Sequence, residues 1–496
     1  MKKYIGAIDQ GTTSTRFILF NQKCQIIASS QKEHKQIFPK PGWVEHDPLE
    51  IWQNTKEVIS NTLKSSKINT NEITTIGITN QRETTVVWDK FTGKPFYNAI
   101  VWQDIRTNNI CEKLKSHEKL IKSKTGLPIA TYFSATKVKW LLENIIELRN
   151  KADKGEVLFG TMDTWIVWNL TGGVNGGIHI TDVTNASRTM LMNLETLEWE
   201  KKLLEIFDIS SNILPKIVSS SEIYGKTKIN NLNDVPISGI LGDQQAALFG
   251  QTCFEKGEAK NTYGTGCFML MNTGNKPVYS SNGLITTVAY KIGSQKVIYA
   301  LEGSIAIAGS LIQWFRDNLG LIKESAEINE LASSVDDNGE VYFVPAFSGL
   351  FAPYWNSGAR GAIFGITHFT TKGHIARAVL ESVAYQAFEI LEIMQSDSGY
   401  PISELKIDGG MTASELLMQF QADILNMPIV KPKISETTAL GAAYAAGLAV
   451  GFWKNMNSLK NILKTDKTWF PQMDSQKRKK YLDKWKKAIE RSKDWE

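Results

Sequence analysis

At 496 residues, with 42% apolar and 22% charged positions, the chain is too long for one hydrophobic core and should divide into two or three domains. Lys and Arg total 56 against 51 Asp and Glu, a formal charge of +5, which leaves no case for a strongly basic nucleic-acid binder. Cys24, Cys111, Cys253 and Cys267 stand far apart, with no CxxC pair and no clustered His, so neither a disulfide framework nor a metal cage is expected, in keeping with a reducing cytoplasm.

The first residues, MKKYIGAID, begin like a secretory leader, but Asp9 interrupts the apolar run and no small-residue cleavage site follows. Ile5 to Asp9, the polar stretch QGTTST and the apolar Phe17 to Phe20 read as a β-hairpin. A P-loop would carry Lys before Ser or Thr and lead into a helix, so any phosphate here is held by hairpin amides and hydroxyls. Gly11 permits close approach, Thr12, Thr13 and Ser14 add donors, and Arg16 adds fixed charge. The same stretch taken alone is also what a plain polar turn looks like.

Further along, TIGIT at 75–79 and PISGIL at 236–241 read as strands, and TKVKWLLENII at 136–146 as a helix, which makes this an α/β protein. Between them, Arg82 and Glu83 follow a strand end. On a turn, both could face a pocket and offer hydroxyl groups a donor fork and a paired acceptor. The run ISGILGDQQAALFG at 237–250 delivers Asp243 to the carboxyl end of a strand where a helix starts; a helix-capping role is the alternative. NTYGTGCFMLM at 261–271 echoes the opening hairpin. The chain therefore reads as duplicated, with two similar domains, 1–250 and 251–496, meeting at a cleft.

A third glycine turn, KIDGGMTAS at 406–414, ends a strand at Asp408 and places paired glycines before an amphipathic helix, a position suited to a phosphate or a purine face or to a purely structural turn. The small-residue run GAAYAAGLAVGFW at 441–453 is about seven residues short of a bilayer span and reads as a closely packed helix. No membrane insertion is expected. The basic run QKRKKYLDKWKK at 476–487 has apolar residues at helical spacing, so it reads as a solvated helix face, with no nucleic acid as partner.

Six segments in order, DQGTTSTR (9–16), NQRETT (80–85), TYFSATKVKW (131–140), GDQQAALFGQ (242–251), NTYGTGCF (261–268) and DGG (408–410), resemble the FGGY carbohydrate kinases, and the likeness runs on to the closing WKKAI. The resemblance implies two actin-like, ribonuclease-H-type ATPase domains with an ATP and substrate cleft between them. It implies ATP-dependent phosphorylation of glycerol at a terminal hydroxyl, giving sn-glycerol 3-phosphate and ADP in the entry step of glycerol catabolism, with Mg²⁺ and a homodimeric or homotetrameric assembly.

By the same resemblance Thr12, Thr13, Ser14 and Arg16 form a first phosphate loop, and Asp9 and Asp243 face the Mg²⁺. Thr265 and Gly266 form a second phosphate loop, while Gly309, Gln313, Gly410 and Ser414 line the nucleoside; at Ser414 relatives commonly carry Asn. Arg82, Glu83, Trp102, Tyr132, Asp243, Gln244 and Phe268 form the glycerol pocket, with Asp243 as the catalytic base. A pentulose or another polyol as acceptor, and a non-kinase actin-like ATPase, are the rival readings; the second has no use for Arg82, Glu83 and Asp243. Some relatives are inhibited by fructose 1,6-bisphosphate through a glycine-rich loop ending in Arg. Here that segment is INNLNDV at 229–235, with Asp234 where the Arg would be, and no His lies between Ser219 and Leu241 for the phosphorylation that controls others. Neither control is expected.

Overall fold

The computed structural model describes residues 3–496 except Ser348, Phe351, Trp355 and Ser357. The opening hairpin is present as β1 (Tyr4–Gln10) and β2 (Ser14–Asn21), followed by β3 (Ile26–Glu33), α1 (Pro48–Ser66) and β4 (Ile73–Asn80). After a run of short elements come α2 (Ser134–Asn144), β5 (Ser221–Ile229), β6 (Leu232–Gly242) and α3 (Asp243–Gly250). These strands make a six-stranded sheet in the order β5-β6-β4-β1-β2-β3. β1, β2 and β3 run antiparallel, and β4 and β6 join parallel to β1. Ile5, Ala7, Ile8, Phe17, Leu19 and Phe20 are all buried, as strands covered on both faces require.

The second half repeats this plan. β7 (Ala259–Tyr263), β8 (Cys267–Gly274), β9 (Ile285–Tyr290) and β10 (Ile298–Ile305) precede α4 (Gly309–Asp317) and the long α5 (Lys372–Ser398). Then follow β11 (Leu405–Asp408), α6 (Glu415–Leu425), β12 (Ile429–Pro432), α7 (Thr437–Ala449), β13 (Thr465–Trp469) and α8 (Ser475–Ser492). The sheet order is β9-β10-β8-β7-β11-β12-β13. β7, β8 and β10 run antiparallel, while β11 and β12 add parallel strands on the other side of β7. The series β3-β2-β1-β4-β6 and β10-β8-β7-β11-β12 therefore superimpose in order and direction, which is the duplication expected from the two hairpins.

The two helices that follow the fifth strand of each series, α3 and α7, lie between the sheets and cross closely. A Cβ on Gly250 would collide with Thr437 O, and one on Gly441 with Ala246 O, so only glycine allows this approach. Each helix also lies against the other half's sheet. Ser238 Oγ of β6 donates to Ala446 O of α7 at 3.0 Å, and Gln245 Nε2 of α3 donates to Val288 O of β9 at 3.2 Å. The small-residue segment is thus a largely buried helix as far as Ala449, as its composition predicts, but the expected helix stops there and residues 450–453 turn away from it. In α8 the Asp474 carboxylate caps the helix by accepting from Gln476 N and Lys477 N, and Tyr481, Trp485, Ala488 and Ile489 are buried while the lysines face water. Among the described residues no helix is long and apolar enough to cross a membrane.

Candidate active site

The first turn leaves β1 at Gln10 and is closed by Gly11 N donating to Ser14 O at 2.9 Å. Thr13 stands exposed at its tip. Thr12 Oγ1 accepts from Trp102 Nε1 at 3.0 Å, and Ser14 Oγ accepts from Gln31 Nε2 at 2.9 Å. From behind, Gln36 Nε2 donates to Thr12 O and His34 N to Thr13 O, both at 3.1 Å, so the turn's carbonyls are tied down. Hairpin register sets Asp9 opposite Arg16, whose Nη1 pairs with Glu436 at 2.7 Å. Burial pushes the Asp9 carboxyl up to about 7; Arg16 pulls against it, while Glu436 and Asp243 push further. Asp9, Asp243 and Glu436 thus act on one another electrostatically beside one arginine, while among the described residues no group of three or more carboxylate, His or Cys side chains is placed to hold a metal ion.

The second turn is built more from backbone. Gly264 N donates to Gly266 O at 2.9 Å, and Thr265, at the exposed tip, accepts through its carbonyl from Ala308 N at 3.1 Å and Ser310 N at 3.0 Å. Gly309, the first residue of α4, donates to Gly264 O at 3.1 Å, and a Cβ there would sit 2.5 Å from that oxygen. Gln313 follows one turn later, exposed. Gly410 is exposed too, and the amphipathic helix α6 begins after the glycine turn, at Glu415, as the sequence suggests. Gly410 opens a 3₁₀ turn (Gly410–Ala413), and Ser414 takes the capping position. Ser414 Oγ accepts from Leu417 N at 3.3 Å and donates to Asn329 Oδ1, a structural duty. The Asp408 carboxylate is likewise engaged, accepting from Gln251 Nε2 at 2.9 Å and Thr437 Oγ1 at 2.7 Å.

Between the two turns the aromatic residues meet: Trp102 contacts Tyr132 edge-on with ring centroids 5.5 Å apart, and Phe268, from β8, at 6.4 Å. Asp243 sits at the junction of β6 and α3. Its Oδ1 accepts from Gln244 N at 2.7 Å and forms an ion pair with Arg82 Nε at 3.1 Å, while its side chain keeps 31% of its surface open. Arg82 and Glu83 are on a turn, as expected, with Glu83 in the left-handed region at φ 60°. The expected donor fork is not free, however. Arg82 Nη1 and Nη2 donate to Glu302 at 2.5 and 3.0 Å, and Arg188 bridges Glu83 Oε1 at 2.6 Å and Glu302 Oε1 at 3.0 Å. Burial opposes ionisation of Glu302, but Arg188 and Arg82 overcome it and hold the carboxyl down to about 2.

Arg188, Glu302 and Lys260 escaped the sequence reading. Lys260, fully buried on β7, donates to Gln244 Oε1 at 2.5 Å, Thr262 Oγ1 at 2.8 Å and Phe268 O at 3.1 Å, and burial pushes it down to about 8 against the pull of Asp408 and Asp243. The available signal was a charge inside an apolar strand: YALEGSI around Glu302 and AKNTY around Lys260. Lys137, in the TYFSATKVKW segment, donates to the carbonyls of Thr131, Tyr132 and Phe133 at 2.7, 2.6 and 3.3 Å and so holds the loop that presents Tyr132.

The models of the FGGY family of carbohydrate kinases match this chain at residues 4–250 for the N-terminal domain and 259–450 for the C-terminal domain. A glycerol kinase of Roseiflexus sp. (strain RS-1) is 59% identical over 497 residues, covering 100% of both chains. The crystal structure of Plasmodium falciparum glycerol kinase with ADP is similar with a TM-score of 0.92 at 43% identity, covering 99% of this chain and 98% of the other. A ligand-bound xylulose kinase from Lactobacillus acidophilus shares the fold, with a TM-score of 0.87 at 24% identity over 98% and 97% of the two chains. Duplicated sheets, two facing turns and family models that match both halves lead to one conclusion: the chain belongs to the FGGY family of carbohydrate kinases.

Proposed function

We propose that this protein transfers the γ-phosphoryl group of ATP to a terminal hydroxyl of glycerol, giving sn-glycerol 3-phosphate and ADP as the first step of glycerol breakdown in the cytoplasm. The observation that carries the reading is Asp243: a carboxylate fixed by Arg82 Nε and Gln244 N, part-open, beside an aromatic trio. Trp102, Tyr132 and Phe268 cover the carbon edge of a three-carbon polyol, while Arg82, Glu83, Asp243 and Gln244 meet its hydroxyls. The aromatic rings leave little width for a longer sugar.

In this reading Asp243 accepts the proton of the attacking hydroxyl as the new oxygen–phosphorus bond forms and the bond to the β-phosphate oxygen breaks. Because the proton departs late in a loose transition state, position matters more than basicity. Thr12, Thr13, Ser14 and Arg16 hold phosphates from one side, and Thr265 and Gly266 from the other. Gly309, Gln313 and Gly410 line the nucleoside, and Ser414 supports that wall through the cap of α6. Asp9 and Asp243 would hold Mg²⁺, which supplies charge neutralisation on the phosphoryl oxygens. Residues 1–250 then carry the acceptor pocket except for Phe268 from β8, and 251–496 the adenosine side, in a protein that assembles as a homodimer or homotetramer.

The test is a coupled assay of ADP release over glycerol, dihydroxyacetone and several pentuloses. Saturable, glycerol-dependent release is expected. ADP release indifferent to every acceptor would sink the kinase reading, and preference for a pentulose would move the substrate.

A further inference from the structure

Four ionisable side chains form a closed, buried ring behind the acceptor pocket: Arg82 is 3% exposed, Glu83 1%, and Arg188 and Glu302 are fully buried. Three of them come from the first half of the chain. Glu302 comes from β10 of the second sheet, 220 residues from Arg82. We propose that Glu302 is a positioning residue for the acceptor hydroxyls: by filling the fork of Arg82 it fixes which edge of that guanidinium faces the substrate, and through Arg188 it does the same for Glu83. This rests on the reading of Arg82 and Glu83 as glycerol ligands.

The geometry supports this directly. A guanidinium is planar with donors in a fixed fork, so two bonds from Nη1 and Nη2 to one carboxylate, at 2.5 and 3.0 Å, determine its plane. Gln245 Oε1 accepts from the same Nη1 at 3.2 Å and closes the remaining side. What is left is the Nε edge, turned to Asp243 at 3.1 Å. Glu302 Oε1 is shared with Arg188 Nη2 at 3.0 Å, and Arg188 Nε reaches Glu83 Oε1 at 2.6 Å. One carboxylate thus orients both pocket side chains that follow β4.

Energetics argue that orientation, rather than adhesion, is the use of this ring. Burying four charges incurs a desolvation penalty that their attraction only repays, and apolar side chains of similar volume would hold the halves together at least as well. Removing one member, however, leaves a partner charged and unpaired in the interior, so the three that remain must rearrange. With Glu302 neutralised, Arg82 keeps Asp243 as its nearest anion and turns toward it.

The experiment compares wild type with Glu302→Gln, which preserves shape and removes charge, by separate kinetics for glycerol and ATP and by glycerol-dependent quenching of tryptophan fluorescence. Expected are a rise in the glycerol KM of at least about tenfold and a fall in kcat, with the ATP KM within about twofold of wild type. A merely structural role would lower Tm and shift both constants together. Should Glu302→Gln fail to fold, Arg188→Lys keeps both Arg82–Glu302 bonds but breaks the planar bridge from Glu302 to Glu83; it should raise the glycerol KM by a smaller factor and spare ATP. A glycerol KM within twofold of wild type in the variant that folds, or an equal rise for ATP, overturns the positioning role alone. A wild-type protein that neither binds nor phosphorylates glycerol overturns the functional reading, and this inference with it.

Discussion

In the proposed function, the acceptor side and the nucleotide side of the cleft would recognise their ligands by opposite means. On the acceptor side the chain spends side chains: Arg82, Glu83, Arg188 and Glu302 are locked to one another, and Trp102, Tyr132 and Phe268 touch edge to face. On the nucleotide side it spends backbone, with Gly264, Gly266 and Gly309 linked through N–H and carbonyl groups, and with Thr265, Gln313 and Gly410 exposed. A small polyol offers only hydroxyls and a short carbon edge, so it needs pre-aimed charges in a dry pocket. A phosphate chain offers many equivalent oxygens, which curled amides can meet without a specific side chain. The difference teaches where each kind of substitution should act.

The largest effect is expected where the two sides join. Asp243→Asn should lower kcat by at least ~10² while ATP binding, followed by calorimetry, changes far less, since the amide keeps the carboxylate's shape but loses its basicity and its charge toward Arg82 and Mg²⁺. Near-native turnover would remove Asp243 from the base role. Next, Arg82→Ala should raise the glycerol KM by more than about tenfold with little change for ATP, because it deletes a hydroxyl donor and leaves Glu302 with Arg188 alone. If ATP alone were weakened, the division between the sides would be wrong as drawn.

On the backbone side the reverse split is expected. Gly309→Ala pushes a methyl group to within 2.5 Å of Gly264 O, and spreading the turn should raise the ATP KM roughly fivefold while sparing glycerol. Thr12→Val sharpens the comparison, because Thr12 belongs to both sides through the Trp102 indole. It should weaken ATP by a few-fold and glycerol less, and the loss of that bond should change Trp102 fluorescence. The smallest effect is none at all: fructose 1,6-bisphosphate titrated to millimolar levels should leave glycerol phosphorylation unchanged. Asp234 is exposed and paired with Lys226 at 2.8 Å, on a hairpin that offers a phosphate a carboxylate in place of an arginine. Saturable inhibition would reveal a site elsewhere.

The hairpins, the strand that delivers Asp243, the small-residue helix and the solvated face of α8 were all legible in the sequence, because each depends on residues close together in the chain. The helix after the paired glycines, Glu415–Leu425, was legible too, while the 3₁₀ turn Gly410–Ala413 and the Ser414 cap between them were not. That Arg82 and Glu83 lie together on a turn was legible, but their buried partners were not. Nothing in NQRETT names Glu302 or Arg188, which lie 220 and 105 residues from the two of them.

By itself, then, the sequence determined the periodicities, turns and repeated plan of the two sheets, since apolar alternation and turn chemistry act over a few residues. Only the tertiary structure decided that α3 and α7 pass between the halves at glycine-to-backbone distance, and that a carboxylate from β10 holds a guanidinium beyond β4. A buried charge must find its partner wherever packing brings one within about 3 Å, and that meeting is set by how the sheets dock rather than by neighbours in the chain.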